Sequence, residues 1–229
     1  FKYTYWQKPN VLIIDSVVEL PRSVLNIKSV NRNKREKCKK MRILCLSTVQ
    51  PSKGQEDLVL ALSLLKGEIK SKIKCYIVGT LADKKYFEKI QKLIKENGLE
   101  NIVKVTGRVA REKALKMMRK SDIVVLCSRS EALSRALIEA MKLGKAVIAT
   151  RSGGNPEVIS EGETGLLYEP ANYEELAQKI SILTERLDLR DILGKKAQIF
   201  ALQRFNEQRV CNQLIPPLKK LFNTPLRSG

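Results

Sequence analysis

Short apolar runs that alternate with longer amphipathic ones constrain this chain more than anything else in it. "RILCLST" (Arg42–Thr48), "KCYIVG" (Lys74–Gly79), "IVKVTG" (Ile102–Gly107), "DIVVLCS" (Asp122–Ser128) and "AVIAT" (Ala146–Thr150) are apolar at nearly every central position. A strand that faces water on one side alternates polar with apolar residues; these do not, so both faces are covered. Between them lie segments with helical spacing. Glu56–Ile69 carries Leu58, Ala61, Leu62 and Leu65 on one face. Lys84–Glu96 ends at Asn97-Gly98, a helix C-terminal signal. Arg111–Arg119 and Ser134–Leu143 follow. "TGLLYEP" (Thr164–Pro170) reads as a turn and a short strand, and helices over Tyr173–Leu187, Arg190–Phe205 and Glu207–Leu214 close the chain. Strand and helix in alternation predict an α/β fold, a doubly wound parallel sheet of Rossmann-like type with C-terminal helices and right-handed crossovers.

Composition removes several chemistries. The 229 residues contain no histidine, which excludes a Ser-His-Asp triad, a His-ligated zinc and a histidine base. Cys38, Cys45, Cys75, Cys127 and Cys211 are odd in number and never spaced Cys-x-x-Cys. They suggest a reduced, cytoplasmic protein rather than a disulfide framework. No apolar run reaches the ~18–20 residues of a membrane span. The formal charge of +19 calls for an anionic partner without choosing it. Nucleic acid is disfavoured: aromatics make up 5%, and no nucleic-acid motif is present. An anionic membrane surface is the alternative, for which the basic amphipathic stretch Asp83–Glu96 is a candidate. An ordinary solvated helix surface accounts for that stretch more simply.

Ligands of such sheets bind beyond the carboxyl ends of the strands, so the loops there carry the candidate site. In "STVQPSKGQEDL" (Ser47–Leu58), Gly54 permits close backbone approach and Lys53 offers a point charge to a phosphate. Taken alone, this is equally an ordinary strand-to-helix turn. Neither a Walker A loop nor a G-x-G-x-x-G fingerprint occurs. In "SRSEALSRALIEAMKLGKAVIAT" (Ser128–Thr150), Leu133, Ala136, Leu137, Ala140, Met141 and Gly144 form one helical stripe that faces the sheet. Arg135 and Glu139 lie opposite it, and Ser130 or Ser134 is placed to cap the helix. Arg135 has two readings that stand level. One is a surface i,i+4 pair with Glu139 worth ~0.2–0.5 kcal/mol. The other is a phosphate ligand at the helix N-terminus, where a cation otherwise opposes the dipole. A third segment, "RSGGNPEVISEGETGLLYEP" (Arg151–Pro170), places Gly153-Gly154 where a turn can approach a ligand closely.

The order of these elements is similar to the C-terminal, donor-binding half of GT-B glycosyltransferases of family 4, the retaining group 1 transferases. The resemblance rests on Lys53-Gly54, "GRV" at Gly107–Val109, "EALSRALIEAMKLGKAVIAT" from Glu131 and "GGNPEVISEGETGLLYEP" from Gly153. It covers about Arg42–Asn212; "NVLIIDSVVELP" (Asn10–Pro21) resembles the linker from an N-terminal domain. The resemblance implies residues 1–41 as linker, 42–203 as a nucleotide-sugar-binding domain and 204–229 as a C-terminal helix and tail. It implies a nucleotide-diphosphate sugar donor, no cofactor and no metal. The acceptor, a glycan or a lipid-linked sugar, would be held by an N-terminal domain or a partner subunit, in the cytoplasm or at the cytoplasmic face of a membrane. A chain of this length is then a fragment or one subunit of a split enzyme, binding donor but transferring nothing alone.

By the same resemblance Lys53 holds the diphosphate with Gly54, and Glu131 hydrogen-bonds the donor hexose as the glycosidic bond breaks. Ala132, Leu133, Ser134 and Arg135 present backbone N–H groups, Glu139 binds the ribose and the backbone of Arg108 and Val109 edges the base. The sequence departs from the family pattern twice. Thr48 stands where the family usually has an arginine, leaving Arg135, Arg129 or Arg108 to compensate. "ALS" (Ala132–Ser134) replaces a glycine-rich turn.

Overall fold

The structure is a computed structural model that describes residues 18–21, 24, 40–130, 132–209, 211–212 and 215–216. The expected strand and turn of Asn10–Pro21 and the basic connector of Asn26–Lys40 lie outside the described residues, apart from 18–21 and 40.

Six strands form one parallel sheet: β1 (Met41–Leu46), β2 (Ile73–Val78), β3 (Val103–Val105), β4 (Ile123–Leu126), β5 (Ala146–Thr150) and β6 (Leu166–Tyr168). Their order across the sheet is β3-β2-β1-β4-β5-β6. All five pairings are parallel, in the register Ile43↔Cys75 between β1 and β2 and Ile43↔Ile123 between β1 and β4. The helices are α1 (Gln55–Leu64), α2 (Gly67–Ser71), α3 (Lys84–Glu96), α4 (Arg111–Lys120), α5 (Arg135–Lys142), α6 (Asn155–Val158), α7 (Tyr173–Glu185) and α8 (Leu187–Arg204).

The pleat explains why the strands are apolar throughout. Successive side chains point to opposite faces, and each face has its own core. Ile43, Cys45, Cys75, Ile77, Val125, Ile148 and Tyr168 pack with α1, α3 and α7 through Leu58, Leu62, Ile90 and Ile180. Leu44, Val78, Val124, Leu126, Val147 and Leu167 pack with α4, α5 and α8 through Met118, Leu137, Met141, Ala197 and Ala201. Each fully buried Leu or Ile contributes roughly 1.5–3 kcal/mol, so both layers are needed for stability.

Local signals set most helix ends. The Asp83 side chain accepts from the N–H of Tyr86 at the start of α3, and Leu99 N–H bonds Ile94 O at its end, around Gly98 at φ 62. The helix expected over Glu56–Ile69 is in fact two, because Leu65 and Lys66 are both extended (ψ 146 and 148) and Gly67 begins α2. The apolar side of α3, namely Tyr86, Ile90 and Ile94, is buried in the first core. The membrane face considered for Asp83–Glu96 is therefore spent on the fold, and its outer surface is polar. The helix expected over Glu207–Leu214 is present at residues 207–209 and 211–212; Leu214 lies outside the described residues. Among the described residues no helix is long and apolar enough to cross a membrane.

Candidate functional site

In a 3-2-1-4-5-6 sheet the crossovers run outward from β1 on one side and from β4 on the other. The loops after these two strands diverge and leave a crevice. The loop after β1 tightens into a single 3₁₀ turn, Pro51–Lys53, closed by Gly54 at φ 58. The loop after β4 runs into α5, which starts at Arg135. The two are joined directly: Arg129 N–H donates to Ser52 O at 2.9 Å. Lys53, Gly54, Ala132, Leu133, Ser134 and Arg135 therefore all lie on the loops that flank one crevice. Ala132 and Arg135 are exposed, Lys53 and Leu133 half-buried, and Ser134 buried. Glu131 lies outside the described residues.

The glycines also have a structural role. A Cβ on Gly54 would stand 2.3 Å from the carbonyl oxygen of Cys127, and one on Gly154 would stand 2.1 Å from that of Ala132. The close approach these residues permit here is between loop and loop. Gly54 seats the Lys53 turn on the end of β4, and Gly154 supports the turn before α5. Beneath that turn Thr150 Oγ1 and Ser152 Oγ both donate to Ser128 O, at 2.5 and 2.7 Å. Asn155 Nδ2 holds Thr150 O at 3.0 Å.

Ser134 is the residue before α5, but its side chain makes no capping bond, and no acidic residue lies in the first turn. Among the described residues that helix start carries no side-chain cap, and it bears the Arg135 side chain. By contrast α1 carries Glu56 and Asp57 in its first turn. The expected surface pair of Arg135 with Glu139 needs correction. Arg135 Nε is 3.4 Å from Glu139 Oε1, but Glu139 is only 4% exposed, and Arg111 Nη2 from α4 reaches the same oxygen at 2.7 Å. Neither arginine is aligned as a hydrogen-bond donor to that oxygen. Arg111 also touches Glu19 O, and Lys142 donates to Val18 O and Phe205 O. Glu139 and Lys142, opposite the stripe of α5, are thus covered by Arg111 of α4, Val18 and Phe205, while Arg135 stays exposed. Burial lowers the Lys142 ammonium pKa.

Of the three cations offered as substitutes for the family arginine at Thr48, Arg129 is already engaged. Its Nη2 reaches Glu56 Oε1 at 2.7 Å and Asp57 Oδ1 at 2.8 Å. Arg108 is exposed, on the loop after β3, and Val109 is half-buried against the second core. Thr48 is half-buried, and its carbonyl accepts from Gln55 Nε2 at 2.8 Å. Burial raises the Asp57 carboxyl, with Arg129 opposing. For Glu56 burial also raises, but hydrogen bonds and charge from Lys89 and Arg129 outweigh it, and the carboxyl ends below its usual range. The Asp57–Arg129 pair was missed from sequence, since its members stand 72 residues apart. The signal was available: two adjacent acids open the helix after β1, and an arginine follows β4. Among the described residues no three Cys, Asp or Glu side chains converge as a metal site requires.

The family model for glycosyl transferases group 1 matches residues 27–200. The chain belongs to the glycosyl transferases group 1 family. One relative is an uncharacterized glycosyltransferase of Methanocaldococcus jannaschii. It is 31% identical over 201 residues, 86% of this chain and 50% of the relative. The chain spans about half the length of the curated relatives it matches. Among solved structures, Anabaena HepE in complex with UDP-glucose is 29% identical, with a TM-score of 0.72 over 79% of this chain and 49% of its own. The C-terminal domain of a group 1 protein from Francisella tularensis is 25% identical, with a TM-score of 0.68 over 74% of this chain and 88% of its own. The fold is that of the C-terminal half of a GT-B glycosyltransferase.

Proposed function

We propose that this chain is the donor-binding half of a retaining glycosyltransferase, and that a nucleotide-diphosphate sugar occupies the crevice between the loops after β1 and β4. The observation that carries the reading is the convergence there of the Lys53 turn and the uncapped, arginine-bearing start of α5. A diphosphate needs fixed positive charge, and a cation beside free helix N–H groups supplies it. Support also comes from HepE, which shares this fold at 29% identity and whose structure contains UDP-glucose.

In the proposed reaction an acceptor hydroxyl oxygen bonds to the anomeric carbon while the bond from that carbon to the β-phosphate oxygen breaks. The electron pair leaves with the phosphate, and the hydroxyl proton passes to that departing oxygen on the same face, which preserves configuration. Lys53 and the start of α5 stabilise the charge that develops on the leaving diphosphate, with Gly54 fixing the turn. Glu131 orients the hexose rather than attacking it. Ala132, Leu133 and Ser134 offer backbone N–H groups, Glu139 is assigned to the ribose, and Arg108 and Val109 edge the base. The acceptor, a glycan or lipid-linked sugar, is held outside this chain.

The test is a thermal-shift panel of UDP-, GDP- and ADP-glucose, with Lys53→Ala as control. A ligand at 100 times its Kd adds ~2.7 kcal/mol to apparent stability. One nucleotide class should raise the midpoint, and Lys53→Ala should lose the rise. No rise with any class would reject the reading. A second reading has an observation behind it: with Thr48 in place of arginine and Arg129 bound to two acids, fewer cations face the diphosphate. A nucleotide-sugar-binding module without transferase activity fits that. Loss of sugar transfer in the whole protein on Glu131→Ala separates the two, since a silent module has no transfer to lose.

A further inference from the structure

Asp57 is a carboxylate with 1% of its surface exposed, at the mouth of a sheet where most charged groups are solvated. Both its oxygens are used, and each on a different loop. Oδ1 accepts from Arg129 Nη2 at 2.8 Å, on the loop after β4. Oδ2 accepts from Ala171 N–H at 3.1 Å, on the loop after β6. Asp57 itself follows the Lys53 turn after β1, and Oδ2 is 3.5 Å from where a Cβ of Gly54 would stand. Arg129 closes the figure a second time, through its backbone N–H to Ser52 O at 2.9 Å. A further contact carries the lock to α3, where Lys89 pairs with Glu56, the second acid on Arg129.

Ala171 lies in a tight turn after Pro170, closed by Asn172 N–H to Glu169 O at 3.0 Å. Among the described residues it alone, apart from glycines, has a positive φ, 67°. An L-alanine adopts that conformation only where its surroundings hold it there. The turn after Pro170 sets that angle, and the bond from the Ala171 N–H to Asp57 ties the turn to α1. A buried carboxylate is costly unless paired and hydrogen-bonded, and here the pairing spans three loops rather than one element.

We infer that Asp57 and Arg129 are positioning residues of the donor site, locking the loops after β1, β4 and β6 so that Lys53 and the start of α5 face one ligand. The inference rests on the donor-site reading above for its consequence, though not for its geometry. Asp57 and Arg129 touch no ligand in this scheme. Arg129 stands six residues before Arg135, and Asp57 four after Lys53, so a slack lock displaces both phosphate-facing groups together.

The test uses Asp57→Asn, which keeps shape and loses charge, and Arg129→Gln, whose site is more exposed and tolerates change. Hydrogen exchange is measured without ligand. The amides of Lys53, Gly54, Arg129 and Ala171 should exchange at least about tenfold faster in both variants, as expected for the loss of a charge-assisted hydrogen bond. Those of β5 should keep their rates. Faster exchange at Ala171 alone, or a uniform rise across the domain, overturns the inference. Affinity is then measured against UDP-, GDP- and ADP-glucose. Each variant should bind about tenfold more weakly, the double variant no more weakly than either, and Arg129→Lys should recover most of the loss. Unchanged affinity in both variants overturns the inference as well. If the unaltered chain binds none of the three sugars, the donor-site reading fails, and the exchange pattern alone decides whether the lock exists.

Discussion

Replacing Gly54 by alanine tests whether the Lys53 turn is seated on β4 by the absence of a single carbon. Two costs arise. At φ 58 an L-residue loses about 1–2 kcal/mol relative to glycine. The new Cβ would lie 2.3 Å from Cys127 O, about 1 Å closer than a carbon–oxygen contact allows. The obstacle is backbone at the end of a central strand, so it cannot rotate away, and overpacking of that kind costs about 1–3 kcal/mol. Together these give about 3 kcal/mol, or about 6–12 °C in Tm for a domain of this size. Gly98→Ala is the matched control. It shares the conformation, at φ 62, but a Cβ there meets nothing within 4 Å. It should lose only the conformational part, about 1–2 kcal/mol and about 2–8 °C. Differential scanning calorimetry of the three proteins decides the matter. Equal losses for the two variants would refute the claim that Gly54 is required for seating rather than for its φ alone.

Other consequences can be checked separately. Arg111→Met leaves buried Glu139 with only the exposed Arg135 beside it; urea unfolding should show a loss of about 1–3 kcal/mol, discounted because Arg111 is half-exposed. The Glu56 carboxyl is held below its ordinary value of 4.5, so its contribution is complete above about that pH and is lost as pH falls through the lowered value. The stability gap between wild type and Glu56→Gln should therefore narrow between pH 5 and 3, and a constant gap would count against the Lys89 and Arg129 contacts. Cys45, Cys75 and Cys127 are buried, with burial the leading cause that raises Cys75, whereas Cys211 is half-buried. Among these four, a thiol reagent should label Cys211 first and the other three only at the rate of unfolding; prompt labelling of Cys127 would mean that the β4 end opens without global unfolding.

What the sequence made legible follows from which contacts are periodic. Continuous apolar runs are the direct imprint of a sheet covered on both faces, and they gave the parallel α/β fold. Asn97-Gly98 ends α3 because a left-handed residue is needed there, a purely local demand. The loops at the strand ends were also legible, because strand ends in such a sheet are recognisable from the runs themselves. What was not legible depended on pairs far apart in the chain. The stripe on α5 was read correctly through Leu137, Ala140 and Met141, yet Glu139 was placed on a solvated face. Ile138, fully buried and off the stripe, was the available sign that a second layer covers that side. Glycine at 54 and 154 signalled close approach, but a sequence cannot say what approaches; it is a neighbouring carbonyl in both cases. Arg129 was grouped with the phosphate cations because charge alone was visible. Its partners are two acids on a neighbouring strand's helix, and that engagement changes its part in the site from binding charge to holding loops. The same logic bears on Thr48. If the diphosphate is held by Lys53 and the arginine-bearing start of α5 without the further cation that an arginine at position 48 would add, then the rigidity of the loops that present them must supply what that arginine would have contributed, which makes the buried Asp57 pair matter more here than it would beside a fuller set of cations.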